Sequence, residues 1–196
     1  MSNPVLENIK SRRVVREMTD EPVSQEDLAT ILEAGRWSPT GSNHLPNRFL
    51  VVQDRELIEL IRRVSPGIYS NASTYIFVCV DRRNFPTYID EEADDPVFLM
   101  DVGQAAQTMA LAAHSIGLAS GPVTSFNVPA LRKILNLPAR FTPWMVLCVG
   151  HPQPNPSFVM KPSKRRHWQD LVYRERFIPW REYNSDTTPP DIESTD

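Results

Sequence analysis

The chain has 196 residues, 41% hydrophobic and 23% charged, a length and balance that suit one compact water-soluble domain with a real core. Its formal net charge of −3 gives no electrostatic case for nucleic acid or an anionic membrane. Its start, Met1-Ser2-Asn3-Pro4-Val5-Leu6-Glu7, lacks the apolar core of a secretory signal.

Residues 5–13 form a first predicted helix, with Val5, Leu6 and Ile9 on one side. Ser24, with Asp27 three residues on, caps a second in which Leu28, Ile31, Leu32 and Gly35 recur at helical spacing. Residues 49–52 read as a buried strand. Asp54 then caps a helix carrying Leu57, Ile58, Leu60, Ile61 and Val64, which Ser65-Pro66-Gly67 ends. A second strand covers 75–80, and the acidic stretch 90–95 reads as a loop. A long helix spans 97–116 and stops at Gly117. It is apolar almost all round, so a central place is expected. Asp101, Gly103, Gln104, Gln107 and His114 interrupt it, which argues against a membrane span. Residues 118–123 suggest a strand. Asn127 caps another helix with Pro129 in its first turn, and 144–149 make the last strand, closed by Gly150.

Beyond Gly150 proline becomes dense, then Lys164-Arg165-Arg166 follows. The tail past Arg181 carries five acids and no basic residue, and cannot build its own core. The pattern predicts an α+β fold, one domain over 1–177 and an acidic tail over 178–196 that is disordered or laid on another surface. Cys79 and Cys148 each lie in an apolar run and read as buried reduced thiols, as expected in a reducing cytoplasm.

Two segments carry chemistry. Arg12-Arg13-Val14-Val15-Arg16 supplies cations, and a guanidinium fork suits phosphate. Arg12, Arg13 and Arg16 face one site if the preceding helix ends near Val14. The same cluster also fits a solvated helix end. Ser38-Pro39-Thr40-Gly41-Ser42-Asn43 supplies small hydroxyl and amide groups on a tight path, and also fits an ordinary turn. Lys164-Arg165-Arg166 is a further basic cluster, and two such clusters in an acidic chain suit one dianionic phosphate. There is no Gly-x-Gly-x-x-Gly, no Ser-His-Asp set and no assignable acid pair. The four histidines are scattered without metal spacing, and His114 reads as a satisfied helix histidine. An enzyme built this way leaves the chemistry to a bound cofactor.

The ordered blocks resemble a known family. Arg12 to Arg16, Glu21-Pro22-Val23, residues 31–43 and Leu45-Pro46 are similar to the opening of the FMN-dependent nitroreductases. Residues 107–118 resemble the central helix of that family. Val149-Gly150-His151-Pro152, then Arg166 and Leu171-Val172, resemble its closing blocks. The resemblance implies a central, mostly antiparallel sheet flanked by helices in an interlocked homodimer that binds FMN at the subunit interface. It implies that Arg12, Arg13, Val14 and Arg16 hold the phosphate, ribityl chain and pyrimidine edge. It implies that Pro39, Thr40, Gly41, Ser42 and Asn43 line the cofactor from the second subunit. Pro122 and Val123 would pass along the ring, and Lys164 and Arg166 would reach the phosphate.

Hydride would pass from NADH or NADPH through the flavin to a nitroaromatic, quinone or similar small molecule, with no protein nucleophile required. The chain departs from the family at His44-Leu45, where a glutamine usually precedes the proline, and at Asn47, where an aromatic often follows it. Thr124 and Ser125 replace a glutamate and glycine of the well-known bacterial members, and border the expected substrate side. Segments 65–68, 76–82 and 121–126 are also similar to the flavin subunit of cyclic dipeptide oxidases. The alternatives are thus a flavin-dependent dehydrogenase or oxidase of an amide-like substrate using oxygen, or a flavin-binding protein without turnover.

Overall fold

The computed structural model describes residues 3–84, 96–155, 166–175 and 177–182. Contacts divide the chain into two compact units, Met1–Met160 and Lys161–Asp196, whereas the sequence suggests a division after 177. The acidic loop expected at 90–95 and most of the tail lie outside the described residues.

The first unit is built around β2, Thr74–Asp81, whose eight residues are all buried. It pairs antiparallel with β1, Asn47–Val52, on one side and β4, Phe141–Gly150, on the other. Strand β3, Ala119–Val123, adds antiparallel to β4, giving the order β1-β2-β4-β3. Side chains alternate across a strand, so β2 feeds two cores. Ile76, Val78 and Val80 face helices α2, Gln25–Arg36, and α4, Pro96–Ser115. Tyr75, Phe77 and Cys79 face α3, Arg55–Arg63, and α5, Val128–Ile134. The result is the expected α+β sandwich.

The predicted caps set the helix starts. Ser24, Asp54 and Asn127 each accept a backbone N–H three residues on. Helix α4 buries Phe98, Val102, Ala105, Ala106, Met109, Ala110 and Ala113, while Val97, Leu99 and Met100 stay exposed. Its central place therefore accounts for one side only. Helix α2 approaches it closely because Gly35 has no side chain: a Cβ there would lie 2.9 Å from Met109 Sδ and from Phe49 Cζ. Helix α1, Pro4–Ser11, ends two residues earlier than predicted and buries none of its residues. Val5, Leu6 and Ile9 are exposed. The helix touches α4 through polar groups, with Asn8 Nδ2 donating to Leu111 O at 3.1 Å.

In the second unit, Tyr173–Arg174 and Ile178–Pro179 pair as a short antiparallel ladder, β5 and β6. The Arg174 guanidinium lies 3.7 Å from the Trp180 ring centroid, and Trp168 packs edge-on to Trp180 at 4.9 Å. No helix among the described residues is long and apolar enough to cross a membrane.

Candidate functional site

Past Ser11 the chain leaves the helix and runs extended beside the outer edge of β3. Val14 bridges Ser120 in the parallel sense, and Val15 N–H donates to Ser120 O at 3.2 Å. Val15 packs against the core on the α3 and α5 side of the sheet. Met18 is buried in that same core, the Arg16 carbonyl accepts the Asn71 N–H at 3.4 Å and Thr19 N–H donates to His151 O at 2.8 Å, so the segment leaves β3 after Val15. Four residues at about 3.3 Å each set an upper limit of about 13 Å between the backbones of Arg12 and Arg16. The arginines thus lie at two places, Arg12 and Arg13 at a cleft beside His114 and Arg16 beside Tyr69, not in the tight cluster a helix end would give.

At the Arg12 end, a cleft of about 300 Å³ is lined by Ser11, Arg12, Arg13, His114, Ser120 and Pro152. His114 Nε2 and Ser11 Oγ are hydrogen-bonded at 2.8 Å. Partial burial, then the charges of Arg12 and Arg13, push this imidazole below its ordinary range. Arg13 folds back, its Nη1 donating to Arg12 O at 2.8 Å. At the other end, the Arg16 guanidinium lies 5.5 Å from the centroid of Tyr69, a ring 72% exposed.

The same sheet edge continues into exposed Pro122 and half-buried Val123, then exposed Thr124 and Ser125. Pro122 has no N–H, which suits an edge strand. Gly67 N–H donates to Ser125 O at 3.1 Å, and a Cβ on Gly67 would lie 2.8 Å from Val123 Cγ1. That close approach sets the course of 123–125.

The 39–45 loop lies elsewhere. Its backbone has positive φ at Ser42 (47°), Asn43 (57°) and Leu45 (52°). Asn43 N–H donates to Thr40 O at 3.0 Å and Leu45 N–H to Thr40 Oγ1 at 3.1 Å. Gly41 N–H donates to Asp101 Oδ1 at 3.0 Å. A cavity of about 680 Å³ beside it is lined by Trp37, Pro39, Thr40, Asn43, His44 and Arg48, among others.

The structure therefore brings Val14 and Val15 of the arginine segment to β3, which runs on into Pro122, Val123, Thr124 and Ser125, and sets Pro39–Asn43 at another place. The loop meets α4 at Asp101 and the arginine cleft meets it at His114. Thirteen helical residues at 1.5 Å each separate these by about 20 Å. Lys164 lies outside the described residues, and Arg166 is exposed in the second unit. Sequence reasoning missed Tyr69 and Asp101. A signal for Asp101 was present, as the one acid inside the apolar helix; Tyr69 carried none.

The residues fit a phosphorylated planar cofactor: cations at both ends of the segment after α1, a cleft beside Arg12 and an exposed aromatic beside Arg16. Among the described residues no group of three or more His, Cys, Asp or Glu is placed to hold a metal. The sequence profile of the nitroreductase family matches residues 9–67 and 61–151. The chain belongs to the nitroreductase family. A nitroreductase-family relative from Methanothermobacter thermautotrophicus, assigned as an NADH dehydrogenase/NAD(P)H nitroreductase, is 32% identical over 158 residues, 78% of this chain and 79% of its own. The NADPH-flavin oxidoreductase of Vibrio harveyi is 29% identical over 203 residues, covering 99% and 80%. A protein of Desulfovibrio desulfuricans assigned as a nitroreductase and solved in complex with FMN superposes with a TM-score of 0.72. It is 32% identical, covering 90% of this chain and 99% of that one. As the family resemblance implies, the sheet is antiparallel and flanked by helices.

Proposed function

We propose that the protein is an FMN-dependent oxidoreductase, working as a homodimer that takes hydride from NADH or NADPH and delivers it to a nitroaromatic, quinone or similar small acceptor. The observation that carries this reading is the Arg12–Arg16 segment, with a cleft at Arg12 and an exposed aromatic at Arg16, the cleft lying about 20 Å along α4 from the loop that would complete the site. Bound FMN supplies reversible two-electron chemistry, so no protein nucleophile is needed. Arg12 and Arg13 bind the phosphate through charge-assisted hydrogen bonds. Arg16 holds a fixed positive charge opposite the pyrimidine edge, where reduction places negative charge. Pro122 and Val123 border the ring, with Thr124 and Ser125 on the substrate side. The separation within one chain supports a reading in which Pro39, Thr40, Gly41, Ser42 and Asn43 line the flavin of the second subunit.

The test is a visible spectrum of the purified protein, repeated anaerobically after NADH and then NADPH. A flavin band bleached by either is expected, and names the donor. A band that neither bleaches replaces this reading with the oxidase alternative. No band, even after reconstitution with FMN, rejects it. Arg12→Ala is expected to weaken FMN binding about tenfold to a hundredfold, the loss of one charge-assisted bond, read by fluorescence titration of the apoprotein.

A further inference from the structure

Asp101 sits within the apolar run of α4 and is 1% exposed. Its Oδ1 accepts the Gly41 N–H at 3.0 Å, and its backbone carbonyl accepts from Asn47 Nδ2 at 3.2 Å. Its Oδ2 and the Oδ1 of Asn47 are buried acceptors without a donor among the described residues. An unmet buried oxygen is costly, and an apolar residue would fill this place in the helix without that cost. Stability of α4 therefore does not explain the acid.

What Asp101 grips explains it better. Ser42, Asn43 and Leu45 all hold positive φ, and such backbone persists only where its surroundings over-determine it. The loop presses on α4 at two points one turn apart. Gly41 N–H meets Asp101, and a Cβ on Gly41 would collide with Val97 Cγ1. Only a glycine held by an acceptor at position 101 lets the loop start this close to the helix.

We infer that Asp101 is a positioning residue for the flavin: through Gly41 it holds residues 39–45 in the shape this loop presents to the cofactor of the second subunit. The inference rests on the reading of that loop as flavin-lining. Burial leads in pushing the Asp101 carboxyl above its ordinary value, against the Gly41 N–H and the His44 charge, which hold it down.

The experiment compares wild type, Asp101→Asn and Asp101→Leu in three readouts: FMN affinity of the apoprotein by fluorescence quenching, amide exchange of residues 40–45 without flavin, and thermal midpoint. Leucine packs but accepts no hydrogen bond. It is expected to leave the midpoint equal or higher while FMN binding weakens about tenfold to a hundredfold and the Gly41 amide exchanges at least about tenfold faster. Asparagine keeps the acceptor and is expected to stay within about threefold of wild type in affinity and exchange. Should the leucine variant not fold, Asp101→Ala is read in the same way. Wild-type behaviour of the leucine variant overturns the inference, as does an asparagine variant impaired as badly as leucine. Wild-type protein that binds no FMN overturns the flavin reading itself, and this control separates the two failures.

Discussion

Asp81 ends β2 with its carboxylate fully buried, and three guanidinium groups gather on it. Arg83 Nη2 is at 3.0 Å, Arg140 Nε at 3.7 Å and Arg48 Nη2 at 3.9 Å. The hydrogen bond from Arg83 leads in holding this carboxyl below its ordinary range, against the opposing effect of burial. The sign follows from linkage. A group whose native pKa is depressed stabilises the fold fully above its unfolded value, about 3.9, and loses that contribution as pH falls through the lower native value. Asp81→Asn is expected to cost about 1–3 kcal/mol at pH 7 in urea unfolding, and the gap to wild type to narrow toward pH 2–3. Cys79 and Cys148 are the contrasting case. Burial leads in pushing both thiols up to about 12, which fits inert core residues.

At the scale of elements, the closest packing is α2 on α4 at Gly35. Gly35→Ala is expected to destabilise the protein by about 1–3 kcal/mol, read by denaturant midpoint, since the added methyl must displace Met109 and Phe49. Most elements were legible because their signals are local. Ser24, Asp54 and Asn127 announce helices by the bond each makes three residues on, and β2 shows in the apolar run 75–80. The first basic segment was less legible. Its helix stops at Ser11 because Val14 and Val15 are drawn into pairing with Ser120, more than a hundred residues away. The small residues around Gly41 could be read as a turn. That Asp101, sixty residues downstream, receives the turn's N–H could not, since nothing near either residue records the other. Tyr69 belongs to the same class, an exposed ring given meaning only by Arg16 beside it.

At the scale of the whole molecule, two apolar surfaces are exposed among the described residues: Val5, Leu6 and Ile9 on α1, and Leu99 and Met100 on α4. Exposed apolar surface of this kind marks association sites. A dimer would cover such surface and unite the loop of one subunit with the arginines of the other. Sedimentation is expected to give twice the chain mass of 22.4 kDa. Ile9→Glu is expected to shift the protein toward monomer and to lower FMN affinity in step. A monomeric wild type that still binds FMN tightly would reject the shared site.

The central pairing of the sheet bears on how the molecule comes into being. Every residue of β2 is buried, yet its partner β4 lies about 60 to 75 residues later, with Asp81 opposite Phe141 and Thr74 opposite Val149. During synthesis at about 5–20 residues per second, that sticky strand emerges several seconds before its mate exists. Until then β2 has β1 on one side and an open edge on the other: a nascent polypeptide waiting for β4 is a natural client for chaperones, and slow closure of the sheet is the price of placing both halves of the site around it.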